Sequence, residues 1–164
     1  MEGYLSVRRS LEAWLKGSDR VVILGVGSSL RRDDHIGVEV VRELEGKVPR
    51  KVDLIECDTV PENFIEPIVN LKPSHLLIID AALLNRRPGS VMFVRPNRIK
   101  GIPVSTHTLP LSILLEYVSK QTGAKVAILA INPKDTGFGE DLTEELKEAL
   151  QKVVALLADA LSRA

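Results

Sequence analysis

The sequence predicts a three-layer α/β/α domain on a mostly parallel five-stranded sheet, with one strand antiparallel. Short continuous apolar runs, typical of strands covered on both faces, alternate with segments that repeat apolar residues at helical spacing. Such alternation predicts a parallel sheet between two layers of helices. The connection between the third and fourth strands, about ten residues, is too short for a helical crossover, so we expect these two strands to pair antiparallel.

The first half of the chain predicts two helices, two strands and a short interrupted helix. RVVILGV (20–26) is the first strand, and the helix after it places Ile36, Val40 and Leu44 on one face before Gly46. KVDLIEC (51–57) is the second strand, and Pro67 should break or kink the short helix that follows. A short amphipathic helix ahead of the first strand, ended by Gly17, extends the domain at its N-terminus and packs on it through Tyr4, Leu5, Leu11, Trp14 and Leu15.

The second half of the chain predicts three further strands and two helices. SHLLIIDAAL (74–83) is the third strand, and RRPGSVMFV (86–94) supplies a turn and the fourth. LSILLEYVSKQTG (111–123) is a helix with a glycine stop, followed by the fifth strand, AKVAILAI (124–131). The last helix carries an apolar face formed by Leu142, Leu146, Leu150, Val153, Leu157 and Leu161.

Composition predicts one globular domain over residues 1–164 and excludes some partners. The chain is 45% hydrophobic and 27% charged, with a formal net charge of zero and no basic tract, so we expect no binding to nucleic acid. No apolar run is long enough to span a bilayer, and the N-terminus does not resemble a signal peptide. The single cysteine, Cys57, excludes an internal disulfide and suits a reducing compartment. We therefore expect a cytoplasmic protein without membrane insertion; the oligomeric state is not indicated.

Polar side chains collect in the loops that leave the carboxyl ends of the predicted strands, where open parallel sheets bind ligands. Asp80 ends the third strand, and STHTLP (105–110) brings His107 to the start of a helix. The other polar residues of these loops are Ser28, Ser29, Arg31, Arg32, Asp33, Asp34 and His35 after the first strand, Asp58, Thr59, Glu62 and Asn63 after the second, and Asn132, Lys134, Asp135 and Thr136 after the fifth. One acid of the Asp33–Asp34 pair, Asp80 and His107 suit a divalent metal of unspecified identity.

Each of these residues also has a structural interpretation. Asp33 and Asp34 are placed to act as N-cap and first-turn acids of the helix over 35–45. Asp80 is placed to cap a turn through Asn85, and a lone loop histidine such as His107 is often an ordinary surface residue. We interpret His35 and His75 as structural.

The segment VVILGVGSSLRRDDHIGVEV (21–40) opens like a nucleotide-binding strand and turn. A dinucleotide fingerprint needs a third glycine, whereas Leu30 stands at that position, and two aspartates would repel a pyrophosphate. The glycines are better explained as a tight turn that exposes an acidic loop.

Several segments together resemble the maturation endopeptidases of nickel-iron hydrogenases. They are GVGSSLRRDDHIG, HLLIIDAA, STHTLPLS and AILAINPKDTGFGEDLTEEL, with DTVPENFIEPI similar to the subgroup that serves formate-hydrogenlyase-type hydrogenases. The likeness runs from about Val21 to Leu150 and depends on the order and spacing of motifs that are individually weak. Ser28 stands where the family usually has Asn, and His35 where a small residue is common.

The resemblance implies an endopeptidase that removes a C-terminal extension from the hydrogenase large-subunit precursor after nickel insertion. It assigns nickel recognition to Asp34, Asp80 and His107, with the nickel supplied by the precursor, so the isolated protein need not hold metal. Because Cys57 and the loop serines lack an identifiable base, we expect Asp34 or Asp80 to act as general base on a water. The alternatives are a nickel-sensing chaperone of the precursor that does not cut it and a nucleotide-binding domain.

Overall fold

The structure of the chain is a computed structural model that describes residues 3–101 and 111–164, apart from the side chains of residues 99–101. The described helices are α1 (Tyr4–Trp14), α2 (Ile36–Leu44), α3 (Ile65–Leu71), α4 (Leu111–Thr122) and α5 (Glu144–Arg163). The strands are β1 (Val21–Val26), β2 (Val52–Cys57), β3 (His75–Ala81), β4 (Val91–Val94) and β5 (Lys125–Ile131). Short 3₁₀ turns occupy Arg32–His35, Pro61–Phe64 and Pro96–Gly101. None of the helices in these ranges is long and apolar enough to cross a membrane.

The strands form a five-stranded sheet in the order β2-β1-β3-β5-β4, with helices on both faces, which confirms the predicted fold class. Strands β1, β2, β3 and β5 are parallel, and β4 is antiparallel. Helices α1, α2 and α5 pack on one face of the sheet, and α3 and α4 on the other. The parallel strands place their carboxyl ends at one edge of the sheet.

The fourth strand was predicted to pair with the third, and this partner was wrong. Strand β4 pairs with β5, in the register Val91 with Ile131, because β5 lies between β3 and β4. The connection from β3 to β4 crosses the carboxyl end of β5, where the Asn132 side chain accepts from Leu84 N at 2.7 Å and donates to Arg86 O at 2.7 Å. The short connection thus predicted the direction of β4 but not its neighbour.

Helix α3 runs through Pro67 without a break. The helix begins at Ile65, so Pro67 is its third residue. Backbone N–H groups of the first turn have no intrahelical acceptor, and a proline there removes no helical hydrogen bond.

The N-terminal extension packs on the domain as predicted, with one residue assigned to the wrong face. Val7, Leu11 and Trp14 are buried against the α5 side of the sheet, whereas Leu5 is 63% exposed. The Tyr4 hydroxyl donates to Gly89 O at 2.8 Å, which adds a polar contact to the loop before β4. The buried positions follow steps of three and four, and Leu5 lies off that stripe.

Helix α2 approaches the sheet closely because it carries a glycine near its start. A Cβ on Gly37 would lie 2.1 Å from Ile79 O and 2.6 Å from Val26 O. The start of α2 is therefore pressed against the carboxyl ends of both β1 and β3. In a dinucleotide fingerprint the third glycine permits this close packing of helix and strand. Here Gly37, within the helix itself, permits it.

Candidate active site

The loop after β1 turns back on itself at Gly27. This residue has φ +154°, and a Cβ on it would lie 2.0 Å from Asp34 O. Its N–H donates to Asp58 O at 2.8 Å, which ties the turn to the loop after β2. The tight turn thus lays the backbone of Asp34 directly over the end of β1.

Asp34 is a buried carboxylate with one oxygen held and one left over. The side chain is 1% exposed, and its Oδ2 accepts a hydrogen bond from Ser28 N at 2.9 Å. Arg31 Nη1 lies 4.0 Å from the same oxygen. Within the described residues, Oδ1 is buried and has no hydrogen-bond partner. Leaving a buried carboxylate oxygen unsatisfied costs free energy, so this atom is a strong candidate to meet a ligand.

The neighbouring Asp33 has a different role. Its Oδ2 accepts from Lys134 N at 2.9 Å, Asp135 N at 3.0 Å and Thr143 Oγ1 at 2.8 Å, and its Oδ1 accepts from Thr143 N at 2.8 Å. The carboxylate therefore joins the loop after β1 to the loop after β5 and to the N-terminus of α5. Neither aspartate makes a side-chain cap of α2, so the N-cap interpretation was wrong, but both are first-turn acids of the 3₁₀ turn Arg32–His35 that leads into α2.

Asp80 is fully buried near the end of β3, and its Oδ1 accepts from Ala81 N at 2.8 Å. It continues the alternation of Leu76 and Ile78, which face the α3 and α4 side of the sheet. The turn Arg32–His35 packs against β3, so the elements that carry Asp34 and Asp80 adjoin at one sheet edge. The loop that follows Asp80 is held by the Asn132 side chain described above.

Cys57 has the character of a structural residue. The thiol is buried, and desolvation raises the pKa of Cys57 to about 12; the negative charges of Asp58, Glu62 and Asp80 add to this rise, and a backbone hydrogen bond with Val60 opposes it. Since the thiolate is the nucleophilic form, the thiol has no capacity for catalysis near neutral pH. These three acids also show that the loops after β2 and β3 share the surroundings of the thiol, and Glu62 Oε2 is itself buried without a hydrogen-bond partner in the described structure.

Of the two histidines interpreted as structural, His75 contacts another element and His35 contacts a residue one turn along in the helix that follows it. His75 Nε2 lies 2.9 Å from Trp14 O, its Nδ1 lies 2.9 Å from Ser74 Oγ, and burial lowers its pKa. His35 Nδ1 lies 3.1 Å from Glu39 Oε1, one turn along α2. Both contacts are of the kind that position backbone elements.

His107 lies outside the described residues, so the predicted set of three ligands is represented here by two of its members. Residues 3–101 and 111–164 contain no group of three His, Cys, Asp or Glu side chains arranged to hold a metal ion. The segment with His107 leads directly into α4, which packs on the face toward which Asp80 points.

The arrangement can hold a water or a metal-bound substrate at an acidic sheet edge. Asp34 Oδ1 is a preorganised acceptor, because Ser28 N fixes the other oxygen of the carboxylate. Carboxylate oxygens bind many divalent ions, and they also take protons from water in general base catalysis. The sequence points to Asp34 and Asp80 but does not show that the Asp33 carboxylate is bonded to the start of the last helix. The available signal for that bonding was the segment Thr143-Glu144-Glu145, which begins the helix.

Comparison with known proteins identifies relatives over most of the chain. A family model described as hydrogenase maturation protease (HycI) matches residues 38–160. A relative from Methanocaldococcus jannaschii is 36% identical over 155 residues, covering 90% of this chain and 91% of the relative. The hydrogenase 3 maturation protease of Escherichia coli K12 is 31% identical over 133 residues, covering 80% of this chain and 85% of that protein.

Solved structures agree with these relatives. The crystal structure of a nickel-iron hydrogenase maturation protease, HycI, from Thermococcus kodakarensis superposes with a TM-score of 0.85 at 32% identity. The alignment covers 93% of this chain and 99% of that one. The crystal structure of a hydrogenase 3 maturation protease gives a TM-score of 0.73 at 29% identity over 83% of this chain and 87% of that one. The chain therefore belongs to the hydrogenase maturation protease family.

Proposed function

We propose that this protein is an endopeptidase that removes the C-terminal extension of a nickel-iron hydrogenase large-subunit precursor after nickel has been inserted. The single observation that carries the site assignment is Asp34 Oδ1, a buried carboxylate oxygen at the carboxyl edge of the sheet that has no hydrogen-bond partner among residues 3–101 and 111–164. Family membership supplies the class of reaction and the class of substrate. We place the reaction in the cytoplasm.

In this proposal Asp34, Asp80 and His107 recognise the nickel that the precursor carries. Carboxylate oxygens and an imidazole nitrogen are ligand types that Ni²⁺ accepts. The nickel belongs to the substrate, so its binding reports that the precursor is loaded. Recognition by side chains from three separate segments of the chain, rather than from one closed cage, leaves the site open to a large protein substrate.

Asp34 or Asp80 also acts as general base on a water. The carboxylate takes a proton as the water oxygen attacks the scissile carbonyl carbon. The protonated carboxyl group then returns the proton to the departing amide nitrogen while the C–N bond breaks. Cys57 takes no part, because its thiol is buried and protonated.

The proposal is tested by incubating the protein with nickel-loaded and nickel-free precursor and weighing the products by mass spectrometry. We expect cleavage of the loaded precursor only. Asp34→Asn, Asp80→Asn and His107→Ala should each slow cleavage at least about 100-fold, the usual contribution of a general base or a positioned ligand. Asp19→Asn is the matched control, since Asp19 is exposed at the opposite edge of the sheet.

Three outcomes would contradict parts of the proposal. Full activity in all three site variants would overturn the site assignment. Equal cleavage with and without nickel would overturn the role of the metal. Nickel-dependent binding without cleavage would favour the alternative of a nickel-sensing chaperone.

A further inference from the structure

Two large apolar side chains project into solvent beside the candidate active site. Leu30 is 55% exposed on the loop after β1, and Phe138 is 86% exposed on the loop after β5. Their backbones are adjacent, because Gly139 N donates to Leu30 O at 2.9 Å and Arg32 N donates to Gly139 O at 3.1 Å. We call this pair of side chains the apolar platform.

The loops that carry the platform are tightly held. Asp33 N donates to Asp135 O at 3.0 Å, and the Asp33 carboxylate accepts hydrogen bonds from two backbone N–H groups of the loop after β5. The loop after β5 is closed internally by Gly137 N, which donates to Asp135 Oδ1 at 2.8 Å. Phe138 is therefore exposed on a well-connected backbone. A rigid loop that holds an aromatic ring in water is the arrangement expected of an anchor for a partner protein.

The platform is continuous with the site where the substrate must bind. Leu30 is four residues before Asp34 in the same loop, and Arg31 Nε donates to Thr136 O at 3.2 Å, which joins the two loops between platform and carboxylate. We therefore expect a precursor whose scissile bond reaches Asp34 to lie close to the platform.

The shape of the platform favours the folded body of the precursor as its occupant. Side chains that project fit a recess on a folded partner, whereas a flexible peptide is usually held in a groove. The cavity that borders Leu30, about 410 Å³, is lined mostly by polar and charged side chains, among them Arg32, Glu39 and Arg42. A peptide bound in this cavity would have to pair with these charged groups.

A second copy of this chain is the weaker candidate. Two side chains provide far less than the roughly 1,200 Å² that a stable specific interface buries. A small platform instead suits an enzyme that must release its product, with the remaining contact area supplied by the scissile segment in the active site.

We propose that the apolar platform of Leu30 and Phe138 is a docking anchor for the folded body of the hydrogenase large-subunit precursor. The inference rests on the proposed function for the identity of the partner. It separates docking, carried by the platform, from chemistry, carried by Asp34 and Asp80.

The test compares the wild type with Phe138→Ala, Leu30→Ala/Phe138→Ala and the control Leu5→Ala, which truncates another largely exposed apolar side chain, on α1. Binding of nickel-loaded precursor is measured by biolayer interferometry and cleavage by steady-state kinetics. We expect the double variant to weaken binding and raise KM at least about tenfold, with kcat within about twofold of the wild type. The control should match the wild type. Thermal unfolding midpoints should be equal in all four proteins, because both platform side chains are exposed.

The outcomes separate docking from the proposed function. Cleavage with unchanged KM in the platform variants overturns the platform and leaves the function standing. Binding that depends on the platform, without cleavage, supports docking and overturns the peptidase assignment. If the wild type does not bind the precursor at all, the assignment of the precursor as the platform's partner is wrong. Concentration-dependent dimerisation that Phe138→Ala abolishes, seen by sedimentation velocity, would assign the platform to a second copy and also overturn the proposal.

Discussion

Two adjacent aspartates differ completely in their surroundings. Asp33 has both oxygens occupied by donors from the β5 loop and the start of α5, whereas Asp34 keeps a buried oxygen without a described partner. Adjacent residues of a tight turn point in different directions, so one serves the backbone and the other faces the site. Of these two consecutive residues, Asp33 therefore holds the loops of the site together and Asp34 is the candidate for its chemistry.

Asp33→Asn should destabilise the fold. The amide nitrogen cannot accept hydrogen bonds, so part of the set of donors from Lys134, Asp135 and Thr143 becomes buried and unsatisfied. We expect the free energy of unfolding to fall by about 2–4 kcal/mol, measured by urea denaturation. Asp34→Asn provides the comparison, since its Ser28 contact can be kept by the remaining oxygen, and should change stability by less than about 1 kcal/mol. Equal stability of Asp33→Asn and the wild type would show that Asp33 is not a structural hub.

Local elements are placed by close approaches as well as by apolar periodicity. The start of α2 lies against β1 and β3 only because Gly37 lacks a Cβ. This close contact positions the preceding turn, which carries Asp34, next to the sheet. The platform loops are similarly joined by backbone bonds at Leu30 and Gly139. Elements distant in sequence thus determine the geometry of each site loop.

Helix α1 supplies a second element-scale prediction, because its two leucines have opposite environments. Leu11 is fully buried and Leu5 is largely exposed. We expect Leu11→Ala to lower the free energy of unfolding by about 2–5 kcal/mol through lost burial and cavity formation. Leu5→Ala should change it by no more than about 0.5 kcal/mol. If both variants unfold at the same urea concentration as the wild type, the extension helix does not pack on the domain in solution.

The whole molecule consists of two hydrophobic layers that share one sheet. Leu129 and its alternate neighbours face α1, α2 and α5, while Ile128 and its alternate neighbours face α3 and α4. Because every strand contributes to both layers, loss of either layer should remove the support of the other. The prediction of one domain over residues 1–164, which was made from composition, stays a prediction.

Cooperativity between the layers can be measured with Trp14, the single tryptophan of the chain, which lies in the α1 and α5 layer. Leu115→Ala removes a buried side chain from the α4 layer and should lower stability by about 2–5 kcal/mol. We expect Trp14 fluorescence and far-ultraviolet circular dichroism to report the same shifted midpoint, as two-state unfolding requires. A fluorescence midpoint that stays at the wild-type value would mean that the layers unfold independently.

Much of the fold was readable because its signals are local. Buried strands such as VVILGV and LLIID are continuous apolar runs, and α5 repeats leucine at helical spacing, so elements and layers could be predicted from short windows. The neighbour of β4 was not predictable in this way, since strand order depends on where the later β5 inserts. The break predicted at Pro67 is absent because the proline falls in the first turn of α3, and a short window does not show where a helix begins.

The sequence by itself determined the fold class, the family, and the candidates Asp34, Asp80 and His107, because motif order and the carboxyl ends of parallel strands are set along the chain. Only the tertiary structure showed that Asp33 is structural, since the donors that occupy its carboxylate come from residues 134, 135 and 143. It also decided that the loops of Leu30 and Phe138 lie side by side, although 108 positions separate these residues in the chain. Hydrogen bonds and burial between distant segments are properties of the folded backbone, and no short stretch of sequence contains both partners.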